Sequence, residues 1–92
     1  MEDRHIIKLL FARAESAIDA LAKQFGPRLF AMARNILGDP RDAEESVSDT
    51  YLALWNAIPP QNPNPLAAYV YKVGRNIALK RLRTVTALQR CS

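Results

Sequence analysis

The stretch Gly38–Ile58, GDPRDAEESVSDTYLALWNAI, decides how the rest of this chain is read. It opens on a helix-start signal: Gly38 ends one segment, Asp39 is a good N-cap, and Pro40 stands where a helix tolerates proline best. Asp42, Glu44 and Glu45 place negative charge in the first turns, where the helix dipole favours it. The apolar positions Ala43, Val47, Tyr51, Leu54 and Ile58 recur every three or four residues and so form one stripe. At roughly 100° per residue they lie within about 40° of Val47, a normal width for a core-facing stripe.

The other side of this predicted helix is less ordinary. Glu45, Ser48, Asp49, Leu52 and Asn56 share a second face about 140° from Val47, and Trp55 lies on its margin. Carboxylates beside a leucine and part of a tryptophan suit a protein partner better than plain solvation. The bland alternative is a solvated acidic face carrying one stray leucine, since single exposed apolar residues are common.

The chain has 92 residues, of which 49% are hydrophobic and 24% charged. That is enough for one folded domain with a modest core and too little for two. No apolar run approaches the ~20 residues that cross a bilayer, and the N-terminal MEDRHIIKLL lacks a signal-peptide pattern. The lone cysteine, Cys91, has no internal disulfide partner, which fits a reducing cytoplasm. The net charge of +4 conceals a division. Residues 1–58 hold 7 Lys/Arg and 9 Asp/Glu, whereas residues 59–92 hold 6 Lys/Arg and no acid. An acid-free basic end on a mildly acidic body points to a polyanion, nucleic acid first and a membrane surface second.

In chain order, residues 1–16 read as an N-terminal helical segment, with a new helix starting at Glu15 or Ser16. The stripe Ile18, Leu21, Ala22, Phe25, Leu29, Ala33, Ile36, Leu37 carries a helix over 17–37. Gly26-Pro27 falls inside it and is either a break or a kink; the unbroken stripe favours a kink. After the helix over 39–58 comes PPQNPNP, residues 59–65, with four prolines in seven positions. That composition supports only a stiff loop. Asn64-Pro65 repeats the cap-and-proline start, and the last helix is expected over 65–84, fraying at Val85-Thr86. Its core stripe is Leu66, Tyr69, Val70, Val73 and Ile77. Lys72, Asn76, Leu79, Lys80 and Arg83 form a separate face flanked by Arg75. Because the stripe stops at Ile77, the helix is expected to leave the bundle there, with 85–92 a tail or the start of a linker. The expectation is all-α, a bundle of three to four helices.

An enzyme reading fares badly. One histidine (His5) near one end and one cysteine near the other make no Cys/His pair and no metal-ligand spacing. Three scattered glycines cradle no phosphate, and no cofactor motif is present. Binding is the class to pursue.

At this point the residues resemble a family. The run RLFAMARNILGDPRDAEESVSDTYLALWNAI, Arg28–Ile58, looks like the start and centre of region 2 of bacterial sigma-70 factors, closest to the extracytoplasmic-function class. The later run NPLAAYVYKVGRNIALKRLR, Asn64–Arg83, resembles the family's helix that melts the promoter and reads its −10 element. The order and spacing match from about Ile18 to Arg83. The resemblance implies that the helix over 39–58 docks on the clamp coiled coil of the RNA polymerase core through Glu45, Ser48, Asp49 and Leu52, with Trp55 at the margin. It implies that the loop captures a flipped base, with Gln61, Asn62 and Asn64 available to read base edges. The last helix would hold the unpaired strand of promoter DNA through Lys72, Asn76, Leu79 and Lys80, and Arg75 and Arg83 lie on or beside that face. Tyr69 or Tyr71 would support or stack on bases, Tyr71 standing off the core stripe and more open. An anti-sigma factor is the family's usual regulator, and neither a metal nor a membrane is implied.

The chain departs from the pattern in several places. Ser48-Asp49 replaces the usual Gln-Glu, Tyr69 stands for a common Trp, and Lys80 for a common acid. The loop has neither aromatic nor glycine. The family's second, −35-reading domain would follow Ser92, so the chain is either a segment of a longer protein or a one-domain relative. A helical interaction module that binds polymerase or a regulator without reading DNA is the alternative.

Overall fold

Gly38, Asp39 and Pro40 make the corner between the second and third helices. Gly38 adopts a left-handed φ of 77° and donates its N–H to the Arg34 carbonyl at 2.7 Å, closing one helix. One residue later the Asp39 carboxylate accepts from the N–H groups of Arg41 at 2.7 Å and Asp42 at 3.2 Å, opening the next. Pro40 is the first helical residue, where its missing N–H costs nothing.

The computed structural model describes residues 3–91, with side-chain surroundings over 3–87. The described residues form α1 (Asp3–Phe11), α2 (Ser16–Leu37), α3 (Pro40–Ala57) and α4 (Leu66–Cys91), with no strand among them. Helix α2 is the hub: it packs on α1, α3 and α4, and α3 and α4 also pack on each other. Gly26 and Pro27 lie within the continuous α2. Pro27 is exposed, where solvent can substitute for the backbone bond that proline lacks. Gly26 leaves room for the Tyr51 hydroxyl, which would stand 3.1 Å from an added Cβ.

One core gathers Ile6 and Leu10 of α1, Leu21, Phe25 and Leu29 of α2, Leu54 and Ile58 at the end of α3, and Leu66 and Val70 of α4. A second, smaller cluster joins Ala33, Ala43 and Ala78, three small residues that let α2, α3 and α4 approach closely. Between the two sits Gly74. A Cβ there would lie 2.6 Å from Leu29 Cδ2 and 3.3 Å from Met32 Cε.

The buried faces differ from the predicted stripes. On α3 the fully buried positions are Ala43, Ser46, Thr50 and Leu54, whereas Val47 and Tyr51 are half-buried. The helix is rotated by about 40° from the predicted stripe, because α4 approaches on the side of the small residues. Thr50 is satisfied by donating its hydroxyl to the Ser46 carbonyl at 2.8 Å, while the buried Ser46 Oγ has no partner among the described residues. On α4 the buried stripe is Leu66, Val70, Gly74 and Ala78, with Tyr69, Val73 and Ile77 only half-buried.

Helix α4 starts at Leu66, one residue after the proline expected to open it, and continues to Cys91 rather than ending near Thr84. It does not leave the bundle at Ile77: Ala78 is fully buried, and Arg81 reaches back to α3. The β-branched pair Val85-Thr86 does not end it, since such residues cost only a few tenths of a kcal/mol each in a helix. Residues 85–91 are therefore helical; Ser92, and Met1 and Glu2 of the N-terminal segment, lie outside the described residues.

Candidate functional site

The outer face of α3 carries two kinds of surface. Toward its C-terminal half, Ser48, Tyr51, Leu52 and Trp55 meet Glu15 and Ile18 from the start of α2 in an open groove of about 490 Å³. Leu52 is 59% exposed there, too much for a core residue of its size. Toward the N-terminal half, Glu44, Glu45, Ser48 and Asp49 line a polar depression, with Arg81 of α4 at its edge. Acidic and apolar groups thus form one continuous face, joined at Ser48.

Trp55 is half-buried and stacked. The Arg13 guanidinium lies 3.9 Å from its ring centroid, in cation–π range. Arg13 Nη1 also donates to the carbonyls of Trp55 at 2.7 Å and Ile58 at 3.2 Å. The last turn of α3 has no basic residue of its own, so a cation from the α1–α2 turn caps the negative end of its dipole. Arg13 holds a left-handed φ of 58°, a conformation costly for a side chain with a Cβ. Sequence periodicity did not single out Arg13; the only local signal was a helix ending without Lys or Arg.

Glu45 is not wholly available to a partner. Arg81 pairs with Asp42 at 3.1 Å and with Glu45, which together make the only ion pairs among the described residues. The hydrogen bond to Asp42 and the charges of both carboxylates hold the Arg81 guanidinium above its ordinary range. Asp49 has no such partner within the described residues. It lines a groove of about 320 Å³ with Ile77, Lys80, Arg81 and Thr84 of α4. The acidic face of α3 and the basic face of α4 therefore meet at Asp49 and Lys80.

On α4, Lys72, Arg75, Asn76, Lys80 and Arg83 are all exposed and Leu79 is half-buried. From Lys72 to Arg83 the face runs about 17 Å along the helix. In the loop, Gln61, Asn62 and Asn64 are exposed, and the Gln61 N–H donates to the Ala57 carbonyl at 2.9 Å. Asn62 lines an open cavity of about 510 Å³ with Arg4, His5, Ile7 and Lys8 of α1, so the loop and the first helix share a rim. Tyr71, expected to be open, is packed as Tyr69 is. Its ring meets Phe25 edge-to-face at 5.8 Å, and both Tyr69 and Tyr71 are half-buried against the main core. The wider spread of that core, which reaches Phe25 from α4, was invisible to a stripe drawn on one helix.

Burial raises the Tyr51 phenol above its ordinary value near 10. Among the described residues no group of three His, Cys, Asp or Glu side chains is placed to hold a metal ion. No described helix is long and apolar enough to cross a membrane.

Against known proteins, the chain matches the family model described as sigma-70 region 2 over residues 21–87, well over half its length. Neither curated proteins nor solved structures gave a match. Region 2 domains bind the RNA polymerase core and recognise the promoter −10 element, without enzymatic chemistry. With its all-helical bundle and the match spanning α2 to α4, the chain belongs to the sigma-70 family as a region 2 domain.

Proposed function

We propose that this domain docks on the clamp coiled coil of RNA polymerase through the outer face of α3, and holds the unpaired −10 strand through the loop and α4. The observation that carries the reading is the abutment of two oppositely charged faces. An acidic and apolar face on α3, with Asp49 unpaired within the described residues, borders an exposed basic face on α4. A basic coiled coil would be steered by Glu44, Glu45 and Asp49 and would gain affinity from Leu52, Ile18 and Trp55. Lys72, Lys80 and Arg83 would hold phosphates, while Asn76 and the loop amides Gln61, Asn62 and Asn64 offer donors and acceptors to bases. The fit to the extracytoplasmic-function class rests on the resemblance of Arg28–Ile58, and a cytoplasmic location follows from the reading. An anti-sigma protein would compete for the groove beside Leu52.

The test is capture of RNA polymerase core by the chain carrying Asp49→Arg, with helicity checked by circular dichroism. A folded variant that binds as well as the parent would sink the clamp assignment. The aromatic-free loop favours a second reading, a module that binds polymerase without touching DNA. Salt-dependent binding of a single-stranded −10-like oligonucleotide, weakened by Lys72→Ala with Lys80→Ala, would exclude that reading.

A further inference from the structure

Helix α1 lies outside the residues matched to the family, 21–87, yet it builds one wall of the cavity beside the loop. Its inward positions Ile6 and Leu10 are fully buried, which turns Arg4, His5 and Lys8 outward. These three line the cavity with Ile7 and with Asn62 from the loop, and among the described residues no lining residue is acidic. Neither Arg4 nor Lys8 takes part in a salt bridge among the described residues.

Local physics opposes part of this arrangement. Arg4 stands in the first turn, where the helix dipole disfavours a cation, although Asp3 beside it and Lys8 in the last turn stand where the dipole favours them. Arg4 and Lys8 are four residues apart, so two like charges share one face of a nine-residue helix. Two exposed like charges four residues apart, without a salt bridge and without a carboxylate among the described residues that line the cavity, are suited to a polyanion. The position selects which one: the rim is shared with Asn62, one of the loop amides placed to read a base.

We infer that the α1 cavity is a phosphate-binding extension of the nucleic-acid site, in which Arg4 and Lys8 take backbone phosphates of the single DNA strand whose base is engaged by the loop. The inference rests on the promoter-strand reading above. It enlarges that reading from two elements, the loop and α4, to three. The contacts are to phosphate, so they add affinity without adding sequence preference.

The experiment measures binding of fluorescent single-stranded DNA by the full chain across a salt series. Two strands are used, one long enough to run past the loop and one truncated at the loop-reading base. With the long strand, Arg4→Ala/Lys8→Ala lowers the slope of log affinity against log salt by about 1.4, at about 0.7 per phosphate contact. Over a fourfold rise in salt the parent then loses about sevenfold more affinity than the variant. With the truncated strand parent and variant coincide, and Arg4→Lys/Lys8→Arg keeps the parent slope. An unchanged slope in the alanine variant overturns the proposal; if Lys72→Ala/Lys80→Ala still lowers the slope, the promoter-strand reading survives without it. A slope loss that persists with the truncated strand also overturns it, since the cations would then attract any polyanion. Absence of salt-dependent binding by the parent chain removes both readings together.

Discussion

The Arg13 guanidinium lies 3.9 Å from the centroid of the Trp55 ring, and its Nη1 donates to the Trp55 carbonyl at 2.7 Å. One side chain from the α1–α2 turn thus closes the end of α3 and covers a face of the residue that borders the α2–α3 groove. Arg13→Ala is expected to destabilise the fold by about 2 kcal/mol, from the lost charge-assisted bonds and the cation–π contact. Arg13→Gly should lose about 1 kcal/mol less, since glycine accepts the left-handed backbone. Trp55 is the only tryptophan, so its emission reports directly. Both variants should shift it to the red, and urea unfolding should rank them Arg13→Gly above Arg13→Ala.

Gly74 and Gly26 make a paired test of packing. Gly74→Ala drives a methyl to within 2.6 Å of the fully buried Leu29, and the overpacking cost of about 1–3 kcal/mol outweighs the helix propensity that alanine adds. Gly26→Ala meets only the hydroxyl end of the half-buried Tyr51, which can move aside. Thermal unfolding should show a lower midpoint for the first variant and an equal or higher one for the second.

Arg81 separates the roles of two carboxylates on α3. A double-mutant cycle between Arg81 and Asp42 should return about 0.5–1 kcal/mol of coupling for a partly exposed pair. Because Glu45 is already partnered by Arg81, Glu45→Ala should weaken capture of RNA polymerase less than Asp49→Ala does. Equal losses would mean that Arg81 gives up Glu45 when the polymerase binds.

Tyr51 sets an alkaline limit. Its phenol is raised by burial above the ordinary value, so the folded state holds the neutral form more tightly than the unfolded state does. For a group raised on folding, the contribution is full below the unfolded value of about 10 and is lost as pH climbs through the folded one. Denaturant stability should therefore decline above about pH 10, and Tyr51→Phe should decline less. Phenolate absorbance should show a late ionisation step that vanishes in the variant.

What sequence alone determined here is what depends on neighbours a few residues apart. Gly38, Asp39 and Pro40 end one helix and start the next through bonds within three or four residues, so the corner was legible. The second, acidic and apolar face of α3 was legible for the same reason, because helical spacing separates Asp49 and Leu52 from Leu54 whatever α3 packs on.

Tertiary structure decided what depends on the size and charge of a distant partner. Ser46, Thr50, Gly74 and Ala78 are buried because α2, α3 and α4 approach most closely where side chains are small, a fact that hydrophobicity alone ranks backwards. Arg13 finds Trp55 across 42 positions and Arg81 finds Asp42 across 39, and no local rule selects one arginine among many. The α1 cavity exists only because the fold carries Asn62 back to Arg4 and Lys8. Spacing along one helix assigns faces; only the packing of helices against one another assigns what each face meets.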